Sequence, residues 1–242
     1  MKSKSLLNDQ LDCLILAGGL GSRFVKVQKN KPKCMALING KPFIDLLIDQ
    51  YINLGINRFI LCVGHLKDYI IDHLSKRSDC EIIFSIESKK LDTAGAIKNA
   101  EEFLVNQKHL VINGDSFCEI SLINLLQHHN NKKSLATIVV TKMSDTKDYG
   151  SVTFDNNNKI TCFDEKIEGN YGFVNAGLYL LSNEILNYLP KGKKFSIEKE
   201  FFPMIINNHC YAFISESKLI DIGTPERYKL ANDYFAIKEN EL

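Results

Sequence analysis

Residues 14–24 read LILAGGLGSRF, an apolar run that empties into a glycine-rich loop closed by Arg23. Gly18, Gly19 and Gly21 remove side chains where a phosphate chain would have to touch backbone N–H groups. Arg23 adds a fixed cation with several donors. Lys31, Pro32 and Lys33 follow, so a second cation, Lys33, sits on a backbone stiffened by the proline ring. The loop lacks the third glycine of the dinucleotide fingerprint, and the chain contains no G-x-x-x-x-G-K-[ST], so neither a dinucleotide-dependent dehydrogenase nor a P-loop enzyme is supported.

Outward from this loop, short apolar runs alternate with helical periodicity, the pattern of parallel strands joined by crossover helices. The spacing predicts strands at 14–17, 58–63, 81–85 and 110–113, and helices at 43–54, 66–75, 94–103 and 121–130. In the first of these helices Phe43, Leu46, Leu47, Ile48 and Tyr51 recur on one face, which leaves Asp45 and Gln50 outward. After about residue 135 the rhythm turns strand-rich, with strands expected at 136–141, 151–154, 160–163 and 173–181. Helices at 183–189 and 197–206 follow, then strands near 211–215 and 218–221 and a closing helix from Pro225. No linker or repeat divides the chain. The expectation is one α/β domain over 1–242, a Rossmann-like three-layer α/β/α arrangement. It has a mostly parallel, mixed central sheet and a smaller antiparallel lid. The nucleotide end would lie in 12–134 and the remaining binding surface in 135–242.

With 30 Lys plus Arg against 29 Asp plus Glu, there is no global field to recruit nucleic acid or anionic membrane, so an anion site must be built locally. The apolar runs are too short for a membrane span, and polar residues interrupt the N-terminal stretch a secretory signal would need. A cytoplasmic protein is expected. Seven cysteines without a C-x-x-C pair argue against a disulfide framework or a zinc site. They read as small core residues, Cys34 included. The six histidines lack metal-ligand spacing and read as surface or filler residues.

Four further segments carry chemistry. Val111 to Asp115, VINGD, is a strand that delivers a carboxylate to the carboxyl edge of the sheet, where open α/β sheets bind ligands. Asp115 is therefore the first candidate ligand for a hard ion such as Mg²⁺. Asp221, in LIDIGTPE, repeats that logic and is the second. Between them, Glu165, Lys166 and Asn175 place polar groups beside strand residues, suited to hydroxyls and one more phosphate.

The ordered set LAGGLGSR, PKCM, KPF, NGD, FDEK, VNAG and DIGTPE resembles the sugar-1-phosphate nucleotidyltransferases over nearly the whole chain. NGDSF, FSIEKEFFP and DIGTPERY look most like the D-glycero-α-D-manno-heptose 1-phosphate guanylyltransferases, with mannose-1-phosphate guanylyltransferases next. The resemblance implies catalytic roles for Arg23, Lys33 and Asp115. It implies nucleotide contacts from Leu16, Ala17, Gly18, Gly19, Gly21, Glu87, Thr93, Ala94 and Gly95. Sugar-phosphate contacts would come from Asn113, Gly150, Glu165, Lys166, Asn175 and Gly177, and Mg²⁺ would be held by Asp115 and Asp221. The implied partners are a nucleoside triphosphate, GTP favoured, and a sugar 1-phosphate; a homodimer is compatible with it. Two positions depart from the family pattern: Cys34 replaces a proline, and Asp92 replaces a glycine. Two rivals remain open at this level. A glycosyltransferase would more often carry an Asp-x-Asp pair, which the chain lacks, and a catalytically silent nucleotide-binding regulator would have less need of all four charged residues.

Overall fold

The structure, a computed structural model, describes residues 11–19, 31–144, 146, 149–164 and 171–240. The first half holds β1 (Asp12–Leu16), the hairpin β2 (Leu37–Ile38) and β3 (Lys41–Pro42), α1 (Phe43–Asn53) and β4 (Arg58–Val63). It continues through α2 (Lys67–Leu74), β5 (Glu81–Ile86), α3 (Asp92–Asn99), β6 (Lys108–Asn113), β7 (Ser116–Phe117) and α4 (Leu122–Lys132). The second half supplies β8 (Ala136–Met143), β9 (Ser151–Phe154), β10 (Ile160–Asp164), β11 (Gly172–Ser182), α5 (Phe202–Ile205), β12 (Cys210–Ser215), β13 (Ile220–Asp221) and α6 (Pro225–Asn240).

One sheet of nine strands runs β10-β9-β11-β6-β1-β4-β5, and β8 pairs both β11 and β12. Strands β6, β1, β4 and β5 are parallel, β12 runs parallel to β8, and β11 lies antiparallel to β6 and β8. The strand-rich second half thus extends the same sheet, while small antiparallel pairs, β13 with β7 and β2 with β3, sit off it. Alternation along the strands divides the core in two. Cys13 and Ile15 face the cluster built with α1, α2, α4 and α6, and Leu14 faces the cluster built with α3 and α5. Apolar strands covered on both faces are what a parallel sheet requires, and the three layers follow.

Several local expectations need correction. The predicted helix at 183–189 is a 3₁₀ turn at Asn183–Asn187. The one at 197–206 begins as a π-helical turn, Ile197–Phe201, before α5, because Pro203 has no N–H to continue an α-helical ladder. The helix expected at 94–103 starts at Asp92, stops at Asn99 and gives way to a 3₁₀ turn at Glu101–Phe103. The strand expected at 218–221 is only Ile220–Asp221. Asp45 is not outward: it is buried, with His73 Nε2 at 2.7 Å and an ion pair to Arg77 at 3.1 Å, because the turn after α2 carries Arg77 over α1.

Two of the histidines are structural rather than surface residues. His129 is buried between the Thr137 and Ser182 hydroxyls, at 2.8 and 3.0 Å. Burial, with Lys108 nearby, pushes its pKa down to about 4. His109 is fully buried between Asp12 and Asn183. Asp12 is itself a hub, accepting from Arg58 Nη1 at 3.1 Å and from the N–H groups of Val105 and Asn106 at 3.1 and 2.9 Å. Burial alone would raise its pKa, but the hydrogen bonds from His109 and the backbone outweigh it and hold the carboxyl below its ordinary 3.8.

Asp12→Ala removes the carboxylate that accepts from Arg58 Nη1 and from two backbone N–H groups, and a loss of about 3–5 kcal/mol in unfolding free energy is expected from urea titration. Because the folded pKa is depressed, the contribution of Asp12 is complete above the ordinary carboxyl value and is lost as pH falls through the folded one. The gap between wild type and variant should therefore shrink below pH of about 4; a gap that stays constant would refute the assignment.

Candidate active site

The carboxyl ends of β1 and β6 are tied together at the sheet edge. Gly114 N donates to Leu16 O at 2.9 Å, and a Cβ on Gly114 would lie 2.8 Å from that same oxygen. Only glycine allows this approach, and it sets Asp115 at the mouth of the sheet. Lys33 reaches it from the other side. Pro32 opens a 3₁₀ turn over Lys33–Met35 in which Cys34 is buried as an anchor. Lys33 Nζ then forms an ion pair with Asp115 Oδ2 at 2.6 Å. Burial would raise the Asp115 pKa, but the Lys33 ammonium and the Ser116 hydroxyl outweigh it, so the carboxyl stays ionised. The Cys34 thiol is pushed up to about 12 by burial, which makes it a packing residue and not a nucleophile.

The short pair β7 and β13 brings the distant aspartate to the same place. Asp221 is in register with Ser116, and Ile222 N donates to Asp115 O at 3.2 Å. Asp221 Oδ1 accepts from Gly223 N at 2.8 Å and from Arg227 Nη1 at 3.3 Å, while Tyr149 donates its hydroxyl to Oδ2. Arg227 also stacks 4.2 Å over the Tyr149 ring.

Two cavities meet at this point. The smaller, about 190 Å³, is lined by Leu16, Gly18, Gly19, Glu87 and Thr93 together with Asn113 and Asp115. The larger, about 650 Å³, holds Lys33, Gly150, Asn175, Gly177 and Asp221, again with Asn113 and Asp115. Glu87 packs so closely on Gly18 that a Cβ there would lie 2.8 Å from Oε1, and its Oε2 accepts from Leu91 N at 3.1 Å. Burial raises its pKa. Gly177 has φ +71°, at the bulge where β11 slips against β8, and a Cβ would meet Asn113 Nδ2 at 2.9 Å. Its N–H donates to Asn175 Oδ1 at 2.9 Å.

Three predicted nucleotide residues stand behind the cavity wall. Ala17 is buried in the core, and the N–H groups of Ala94 and Gly95 both donate to Phe195 O at 3.0 Å. A Cβ on Gly95 would lie 2.6 Å from Lys193 O, so glycine is needed there for the passing chain. Gly21, Arg23, Glu165 and Lys166 lie outside the described residues.

Tyr149, Glu198, Lys199 and Arg227 line the larger cavity without having been singled out by sequence. Arg227 had a legible signal, a cation in the first turn of a helix a few residues after Asp221. Glu198 had none. It joins the two cavities: Thr93 Oγ1 donates to Oε2 at 2.9 Å and Tyr179 OH to Oε1 at 3.1 Å, while Asn175 Nδ2 donates to Tyr179 OH at 2.8 Å.

The family model for nucleotidyl transferases matches residues 12–236. The chain belongs to the nucleotidyl transferase family. This nucleotidyl transferase is 34% identical over 222 residues to D-glycero-alpha-D-manno-heptose 1-phosphate guanylyltransferase of Campylobacter jejuni, a match covering 90% of this chain and 97% of the relative. It is 31% identical to the protein of the same name from Aneurinibacillus thermoaerophilus, covering 91% and 96%. HddC from Yersinia pseudotuberculosis, in its crystal structure complexed with GMP-PN, superposes with a TM-score of 0.83 at 36% identity, covering 93% of this chain and 99% of HddC. No helix among the described residues is long and apolar enough to cross a membrane.

Gly114→Ala should push Asp115 away from Lys33 while leaving the sheet folded. Turnover is expected to drop about 100-fold, the usual cost of an ångström-scale displacement at a reacting centre, with an unchanged far-ultraviolet dichroism spectrum. Turnover within twofold of wild type would show that the close contact with Leu16 does not set the site.

Proposed function

We propose that this nucleotidyl transferase moves GMP from GTP to D-glycero-α-D-manno-heptose 1-phosphate, giving a GDP-sugar and pyrophosphate for cell-surface polysaccharide. The observation that carries the reading is the junction of two cavities at Asn113 and Asp115, with Lys33 paired to the aspartate. A nucleotide in the smaller cavity and a sugar phosphate in the larger would present their phosphates to one another there. The guanylyl and heptose assignments rest on the names of the relatives and on the GMP-PN complex of HddC.

In this mechanism a phosphate oxygen of the sugar 1-phosphate attacks the α-phosphorus in line, and the bond to the β-phosphate oxygen breaks to release pyrophosphate. Leu16, Gly18, Gly19, Gly21, Glu87 and Thr93 cradle the nucleotide, with Ala17, Ala94 and Gly95 supporting that wall. Lys33 and Arg23 neutralise charge that grows on the phosphate oxygens in the transition state. Asn113, Gly150, Glu165, Lys166, Asn175 and Gly177 orient the sugar phosphate. No covalent enzyme intermediate is required.

Asp115 and Asp221 would hold Mg²⁺. Their carboxylates are hard oxygen donors on one cavity wall, and no cluster of three or more metal-ligating side chains occurs among the described residues. That donor set fits an ion held by one or two carboxylates and completed by substrate phosphates. When bound, Mg²⁺ supplies charge neutralisation along the triphosphate.

The test is a grid of GTP, CTP, UTP, dTTP and ATP against heptose, mannose and glucose 1-phosphates, scored by pyrophosphate release. GTP with the heptose phosphate should give the highest kcat/KM; a preference for UTP or dTTP with glucose 1-phosphate would sink the proposal. Asp115→Asn is expected to lower turnover about 100-fold or more at saturating Mg²⁺. Near-normal turnover of that variant would remove Asp115 from the metal and from the reaction.

A further inference from the structure

Arg227 stands in the first turn of α6, where the helix dipole disfavours a cation, so helix formation does not account for it. Nor is it needed to orient Asp221. Gly223 N donates to Asp221 Oδ1 at 2.8 Å and Tyr149 donates its hydroxyl to Oδ2, whereas Arg227 Nη1 reaches Oδ1 only at 3.3 Å. That is longer than the about 2.7–2.9 Å of a charge-assisted hydrogen bond. By comparison, the Lys33 to Asp115 pair in the same cavity measures 2.6 Å.

The surroundings of the side chain suit an anion. The guanidinium lies 4.2 Å over the Tyr149 ring, which covers one face and fixes its plane. The N–H donors of a guanidinium lie along its edge in a rigid fork, and the side chain, 20% exposed, lines the larger cavity with Lys33, Asn175 and Gly177. A second cation stands close by: a Cβ on Gly223 would lie 3.5 Å from Arg227 Nη1 and 3.6 Å from Lys33 Nζ. Glycine at 223 thus keeps a side chain from coming between the two. Asp115 and Asp221 balance these two charges, so among the four groups a phosphate is held by directed donors more than by net charge.

We propose that Arg227 binds the phosphate of the sugar 1-phosphate, its fork spanning two phosphate oxygens; this rests on the reading that the larger cavity takes that substrate. The phosphate has three non-bridging oxygens. One attacks the α-phosphorus, and the other two match the paired N–H donors of a guanidinium, a bidentate contact that lysine cannot make. A phosphate gripped by two oxygens can turn the third toward the nucleotide, and orientation of that kind is what an in-line transfer requires. A residue that served only Asp221 would have no effect of its own on the sugar phosphate.

Binding is measured by calorimetry on protein saturated with Mg²⁺ and α,β-methylene GTP, which cannot transfer its nucleotide, and heptose 1-phosphate is the titrant. Wild type, Arg227→Met, Arg227→Gln, Asp221→Asn and the double variant Asp221→Asn with Arg227→Met are compared, with thermal unfolding followed in parallel. Both Arg227 variants should bind the sugar phosphate at least about tenfold more weakly, the scale of one lost hydrogen bond to a charged group. Their affinity for the GTP analogue should be little changed. A comparable factor should separate the double variant from Asp221→Asn, because the contact does not pass through Asp221. Unchanged sugar-phosphate affinity in the Arg227 variants overturns the inference. So does a loss that vanishes in the Asp221→Asn background, or one that falls equally on the GTP analogue. A wild type that binds mannose or glucose 1-phosphate but not the heptose phosphate overturns only the heptose reading, and the same comparison is then read on the sugar that binds. A wild type that binds no sugar 1-phosphate overturns the assignment of the larger cavity, and the role of Arg227 with it.

Discussion

β6 is the strand on which the two halves of this molecule depend. One edge pairs in parallel with β1 and the other antiparallel with β11, so the walls of the two cavities share a single backbone. It ends at Asn113, and Gly114 and Asp115 follow directly. The hydrogen bond from Gly114 to Leu16 ends β1 and β6 at the same level, and the absent side chain at 114 makes that possible. Asp115 inherits its place from this contact and its ionisation from Lys33.

Around that fixed point the site is held by hydrogen bonds more than by rigid packing. Asp221 comes from far along the chain on a two-residue strand, too short to position it alone, and Gly223, Arg227 and Tyr149 complete the task. Glu198 does the same between cavities, linking Thr93 to Tyr179 and Asn175. Buried polar networks of this kind are demanding, since each member left unpaired costs more than the bond it made. They also give the cavities a defined spacing, which the proposed in-line transfer requires.

Much of the fold was legible in sequence because the strands are apolar on both faces and the helices on one, and that periodicity survives without tertiary context. The failures have local causes. Pro203 interrupts a helical pattern that its apolar neighbours continue. Asp45 looked exposed because Arg77, its partner, is distant in sequence. His109 and His129 carry no spacing signal at all, since their partners, Asp12 and Asn183 in one case and Thr137 and Ser182 in the other, are assembled by strand pairing.

The same division runs through the site. Sequence alone determined that a glycine loop and strand-ending aspartates exist, because glycine and carboxylate requirements are written in single residues and their immediate neighbours. It singled out Lys33, Asp115 and Asp221 on that basis. Only the tertiary structure decided that these three meet, that Ala94 and Gly95 turn to Phe195 and not into the cavity, and that Glu198 joins the two cavities. Those facts belong to contacts between residues some eighty to a hundred positions apart, and such contacts are set by sheet register and strand order, which no local window of sequence contains.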